Sequence, residues 1–237
     1  PTAAALGPRW RRVLVTAPLA AAAAAAAGAA LAPRATADRP EQVLVFHHQD
    51  ADDPGARVLV WAESGRLPEP MRRAAPFGAR RVKPLPWAVM RPSFEARTGR
   101  DDLAAPTLVV LERSEAGGRR RLRARLASPR GAAEVLLLLP PEAEVVSAAM
   151  GGVRLPPVDP RLRRWFGGWQ VLRCLTTPPG GVELEVVLAG SAPLEAWVAD
   201  QAPGLPAAAS GVAAARPREA APVQEGDSTL VTRRVRL

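Results

Sequence analysis

His47 and His48 are the only two histidines in 237 residues, and metal or acid–base chemistry would start with them. They close residues 42–48 (QVLVFHH), a β-type apolar run. Neighbours on a strand point to opposite faces, so the two imidazoles do not share one ion. Asp50, Asp52 and Asp53 follow at once, but a calcium loop needs the D-x-[DN]-x-[DN]-G register and a later Glu. The stretch QDADDPG lacks that register and reads as a turn with solvated acids. Asp101 and Asp102, ahead of a strand, read as acids that cap or solvate a turn. Ser128, Ser147 and Ser191 have no histidine in a triad order, and no G-x-S-x-G, phosphate loop or C-x-x-C occurs. A zinc hydrolase site takes about three protein ligands, more than two adjacent histidines supply. Cys174 is alone, which excludes an intramolecular disulfide, and on a strand it reads as a small apolar residue. No catalytic, cofactor-binding or metal-binding residue is expected in this chain.

The elements that would carry these residues are strands. Residues 42–48 and 57–62 (RVLVWA) flank the aspartate-rich turn and predict a hairpin. Residues 65–106 form a proline-rich irregular segment with Phe77, Trp87 and Phe94 scattered through it. Its stretch over 65–100 predicts an extended path wrapped over the domain, with the aromatics pinned to the core edge. Further strands are expected over 108–112, 119–128, 133–139, 145–149, 169–175, 182–189, 194–199 and 229–237. In 119–128, Leu122, Ala124 and Leu126 alternate with Arg121, Arg123 and Arg125, the pattern of a half-buried antiparallel strand. Short strands at this spacing predict a mainly β fold, an antiparallel β-sandwich over 42–237. No helix is expected after residue 33.

Before the sandwich lies a different kind of segment. Residues 13–32 carry no charge and follow Arg9, Trp10, Arg11 and Arg12. That length suits the ~20 residues a helix needs to cross a bilayer, and the arginines suit a cytoplasmic flank. The expected order is a basic flank (1–12), a transmembrane helix (13–33), a linker (34–41) and an extracytoplasmic domain (42–237). Alanine dominates the span, so a long soluble alanine helix is one other reading. A signal peptide cleaved after Ala37, at Ala35-Thr36-Ala37, is another. The chain opens at Pro1 without an initiator methionine, as a segment of a longer protein would.

The net charge of +9 comes almost wholly from arginine, with Lys83 the only lysine and no tyrosine at all. Heavy use of Ala, Pro, Gly and Arg together points to GC-rich coding rather than a binding face. The basic cluster at 119–125 lacks interleaved aromatics for base stacking, so nucleic acid is not an expected partner.

The C-terminal stretch carries more. Residues 196–206 (AWVADQAPGLP), then Arg216-Pro217, then 227–233 (DSTLVTR) resemble the tail of bacterial membrane-bound zinc aminopeptidases of metallopeptidase family 28. Residues 43–62 are similar to the opening of that tail domain. The resemblance implies a catalytic two-zinc domain first, then several transmembrane helices, then a β-rich outer domain. Residues 9–32 would be the last helix, and the partners would be the bilayer, the further helices and the peptidase domain of the same protein. It implies the bacterial inner membrane, with 42–237 on the periplasmic or outer side and zinc bound only by the upstream domain. The family's metal ligands have no counterpart here, so no catalytic role carries over. The matching residues are expected to be structural: Gly204, Leu205 and Pro206 shape a turn, Asp200 caps it, and Arg216 and Pro217 fix a loop. Asp200 or Asp227 is expected to pair with an arginine such as Arg216. A stand-alone anchored or secreted β-sandwich that binds a partner protein or envelope glycan is the alternative.

Overall fold

The computed structural model describes residues 18–28, 35–83, 85–87, 92–223 and 226–237. The fold is mainly β. The first helix, α1, covers 18–28 and is exposed throughout. The rest of the predicted 13–33 span lies outside the described residues. No helix among the described residues is long and apolar enough to cross a membrane.

The strands that follow are β1 (Glu41–Asp50), β2 (Ala56–Ala62), β3 (Phe94–Thr98), β4 (Thr107–Ala116), β5 (Arg119–Ala127) and β6 (Glu134–Leu139). After them come β7 (Val145–Met150), β8 (Val153–Arg154), β9 (Gln170–Cys174), β10 (Val182–Ala189), β11 (Glu195–Pro203), β12 (Ala220–Ala221) and β13 (Ser228–Arg236). Among the described residues they form two sheets. The larger runs β3-β2-β1-β13-β11-β6-β9, with β12 beside β1, and the smaller runs β4-β5-β10-β7-β8.

Alternation in the sequence becomes the contact between these sheets. Leu122, Ala124 and Leu126 of β5 and Leu184, Val186 and Leu188 of β10 meet Leu137, Leu139, Leu172 and Val198 of the larger sheet in one buried core. Burying a leucine fully is worth about 1.5–3 kcal/mol before entropy is counted. The arginines between them turn outward. Arg121 donates to Glu185 at 2.9 Å, and Arg123 and Arg125 donate to Glu183 at 3.0 and 2.9 Å. Such exposed pairs contribute little to stability. Strand β6 is apolar on both faces because it is central: Leu137 and Leu139 enter the shared core while Leu136 and Leu138 face the other side. Gly181, at φ +92°, turns the chain into β10 so closely that a Cβ there would lie 2.5 Å from the Leu126 carbonyl.

Three expectations are corrected. The larger sheet is not purely antiparallel: β1 runs parallel to β13, with Phe46 opposite Ser228, and parallel to β12. Helices occur beyond residue 33, namely α2 (Glu69–Ala74), α3 (Pro160–Trp165) and α4 (Ala207–Ala214). The segment 65–100 is not merely extended, since it contains α2 and β3. Its aromatics are pinned inward all the same, with Trp87 and Phe94 buried. The smaller sheet covers only part of the larger one. Beyond it, Met71 of α2 and Ala209 and Val212 of α4 cover Val43, Val45, Val58 and Val60 in a second core.

Candidate functional site

The residues of the C-terminal motif meet at one junction. Gly204 ends β11 at φ +89°, a backbone region that glycine enters without strain. Its N–H donates to the Asp227 carbonyl at 2.8 Å, and its own carbonyl accepts from Thr229 Oγ1 at 2.7 Å. Leu205 packs against the second core, and Pro206 stands at the N-terminal cap of α4. After α4, Arg216 Nη2 donates to Asp227 Oδ1 and Oδ2 at 2.6 and 2.7 Å. Asp227 Oδ1 also accepts the Val45 N–H at 3.0 Å, which ties the motif to β1. The Pro217 carbonyl accepts the Ala220 N–H at 3.0 Å, where the chain enters β12. Arg216 and Asp227 are 12% and 15% exposed, so little water competes for them. Arg216→Ala should lower the free energy of unfolding by about 2–3 kcal/mol, the range for orphaning a partly buried charged hydrogen bond. Urea denaturation measures it, and a loss below about 0.5 kcal/mol would mean that the pair is incidental.

Asp200 does not cap that turn. It sits on the inner face of β11 in line with Ala196 and Val198, and it is fully buried. Its partners come from the turn after β5: Ser128 Oγ donates to Oδ2 at 2.5 Å and Arg130 Nη2 to Oδ1 at 2.6 Å. Sequence reasoning missed Arg130. The available signal was the alternation of β11, which places a carboxylate on an apolar face and so demands a cation.

The two histidines do lie on opposite faces of β1, and both are buried. His47 faces the interior between the two cores. Its nearest counter-charge is Asp101 Oδ2, 3.7 Å from Nε2, and neither ring nitrogen has a hydrogen-bond partner. Burial lowers its pKa, Asp101 opposes that shift, and Arg130 adds to it. Asp101 is held by its N–H, which Gln49 Oε1 accepts at 3.1 Å. Asp50, the last residue of β1, is buried rather than solvated as expected, and its Oδ1 accepts the Asp52 N–H, while Asp53 Oδ1 accepts the Gly55 N–H. The expected turn is therefore present. No group of three His, Cys, Asp or Glu side chains placed to hold a metal occurs among the described residues.

His48 lies on the outer face of the larger sheet, where it lines a cavity of about 260 Å³ that no sequence motif announced. Phe46, Leu59, Leu136, Leu230 and Val171 give the cavity apolar walls, with Leu85, Trp87 and Phe166 beside them. Trp87 packs edge-on against Trp169 and tilted against Trp197, with centroids 5.4 and 4.9 Å apart. The charged lining residues, Glu134 and Arg173, neutralise each other through two hydrogen bonds. His48 Nε2 and Thr232 Oγ1 are 3.0 Å apart and share a proton, whereas Nδ1 has no partner. Burial, with Arg57 and His47 nearby, pushes the His48 pKa down to about 3, so the ring is neutral at physiological pH. A larger cleft of about 480 Å³ lies along β7 and the 154–158 stretch. It holds no unpartnered buried side-chain atom.

No protein-family model and no curated protein matches this chain.

Proposed function

We propose that residues 42–237 are the non-catalytic outer domain at the C-terminal end of a membrane-bound zinc aminopeptidase of family 28 type. In this reading the 13–33 segment is the last transmembrane helix, and the domain stands on the periplasmic or outer side of a bacterial inner membrane. It packs on, or gates, the peptidase domain of the same protein. The supporting observation is the convergence of the motif residues. Gly204, Leu205, Pro206, Arg216, Pro217 and Asp227 all fall within residues 204–227, and they join β11, α4, β12, β13 and β1 at one point. A motif with that role marks a domain type and needs no chemistry of its own. In this reading zinc is bound by the upstream domain, and no catalytic step is assigned to His47 or His48, which face opposite sides of the sheet.

An immunoblot of native membranes with an antibody against residues 41–237 tests this reading against the 25.0 kDa of the present chain. A membrane band larger by a peptidase domain and several helices is the expected result. A membrane band near 25 kDa would overturn the peptidase reading in favour of a stand-alone binding module. A smaller soluble band would mean cleavage after Ala37 and a secreted protein.

A further inference from the structure

Beyond that reading, and independently of it, we infer that the open edge of β4 pairs with β4 of a second copy of this chain. The two five-stranded sheets then become one antiparallel sheet across a two-fold axis. Among the described residues β4 pairs only with β5. Leu108 reaches the shared core, but every residue from Val109 to Ala116 is exposed, so both faces are open as well as the edge. Val109, Val110 and Leu111 are 55%, 44% and 42% exposed. The other outermost strands are blunted by being short: β3 and β9 have five residues each and β8 two, against ten in β4. Thr107–Ala116 contains no lysine or proline, and its one blunting device is a bulge, where Leu111 falls out of the ladder with β5.

The sequence of β4 fits a copy of itself. Its first half, Thr107 to Leu111, carries no charge. The glutamates of its second half are drawn back onto β5, Glu112 to Arg123 and Glu115 to Arg120, each at 3.9 Å. Two identical strands related by a two-fold axis normal to the sheet run antiparallel with one residue opposite itself. Centred on Glu112 or Arg113, that pairing sets like charges face to face, which destabilises it. Centred on Leu111, it sets exposed Val110 against Glu112. Centred on Val109, it stops at Leu111, because Glu112 would face Pro106, which has no N–H. Centred on Ser114, it pairs Arg113 with Glu115 but leaves all three aliphatic residues beyond the second strand's end at Ala116. Centred on Val110, it sets Val109 against Leu111 in both directions, so the exposed aliphatic residues of each copy cover those of the other. Glu112 then faces Leu108, which is already turned into the core, and no charge faces another.

The test is oxidative cross-linking of the full chain carrying Cys174→Ser, so that each variant has a single cysteine. Residues opposite each other in an antiparallel pair have Cα atoms about 4.5–5.5 Å apart, within disulfide range. Val110→Cys should therefore give a disulfide-linked dimer on a non-reducing gel. Its yield should be at least tenfold above that of Ser114→Cys on the same strand and of Val153→Cys on the far edge of the sheet. Adding Leu111→Glu to Val110→Cys should remove the cross-link while the thermal transition is kept, since both positions are exposed. A strand of another protein on β4, or none, would show as Val110→Cys chains that never link, and overturns the inference. So does Ser114→Cys or Val153→Cys linking as readily, or an unchanged yield with Leu111→Glu. None of these outcomes bears on the immunoblot, so the two readings fail separately.

Discussion

Arg130→Met is expected to remove about 3–5 kcal/mol of folding free energy, the range for stripping one partner from a buried ion pair. Asp200 is the reason. Its side chain is 0% exposed and that of Arg130 13%, so the abandoned carboxylate would keep only Ser128 as a side-chain partner. Asp200→Leu alone should cost a similar amount, because it strands the guanidinium. The double variant should cost much less than the sum, since replacing both buried charges with apolar groups is often close to neutral. Chemical denaturation of all three variants gives the coupling energy. Single variants within 1 kcal/mol of the parent would show that water reaches the pair and that the burial argument fails.

Acid should unfold this domain earlier than its carboxylates alone would explain. The folded-state pKa of His48 is about 3, against 6.5 for a free imidazole. Between those values the unfolded chain binds a proton that the native chain refuses. The stability tied to neutral His48 is therefore complete above pH 6.5 and is lost as pH falls toward 3. The slope is about 1.4 kcal/mol per pH unit, or about 2 kcal/mol lost by pH 5. His47 is shifted the same way and adds to the loss, although Asp101 holds part of it back. Urea midpoints from pH 7.5 to 4.5 measure the slope, and a His48→Gln variant should flatten it. A level profile between pH 6.5 and 5 in the parent would refute the assignment.

The strands were legible because their alternation is a local signal. Residues 182–189, where Val182, Leu184 and Val186 alternate with two glutamates, were bounded as observed. Residues 42–48 were read as ending at His48, yet β1 continues through Gln49 and Asp50. There the tertiary environment overrides polarity, since Gln49 is buried and bonded to the Asp101 N–H and the Leu103 carbonyl. Helices α2 and α4, six and eight residues long, are too short to show a 3.6-residue period. They form where apolar strand faces need cover. The pairing of Asp227 with Arg216 was readable because the two lie eleven positions apart inside one motif. For Asp200 the alternation of β11 demands a cation, but with Arg130 seventy positions away it does not say which one. The cavity around His48, whose walls come from six strands and two loops, left no periodicity to read.

The parallel pairing of β1 with β13 also fixes when the domain is able to close during synthesis. Asp227 reaches Val45 across 182 positions, and at about 5–20 residues per second that separation is on the order of 10–40 s of translation. Throughout that interval the edge of β1 that will receive β13 is unsatisfied, while hairpin neighbours such as β2 are already available to it. A nascent chain would therefore hold an open, sticky strand edge for most of its synthesis, in the keeping of whatever holdase meets it. A chain truncated shortly before Asp227 would contain nearly every described strand but with that seam never shut, and proteolysis should clear it.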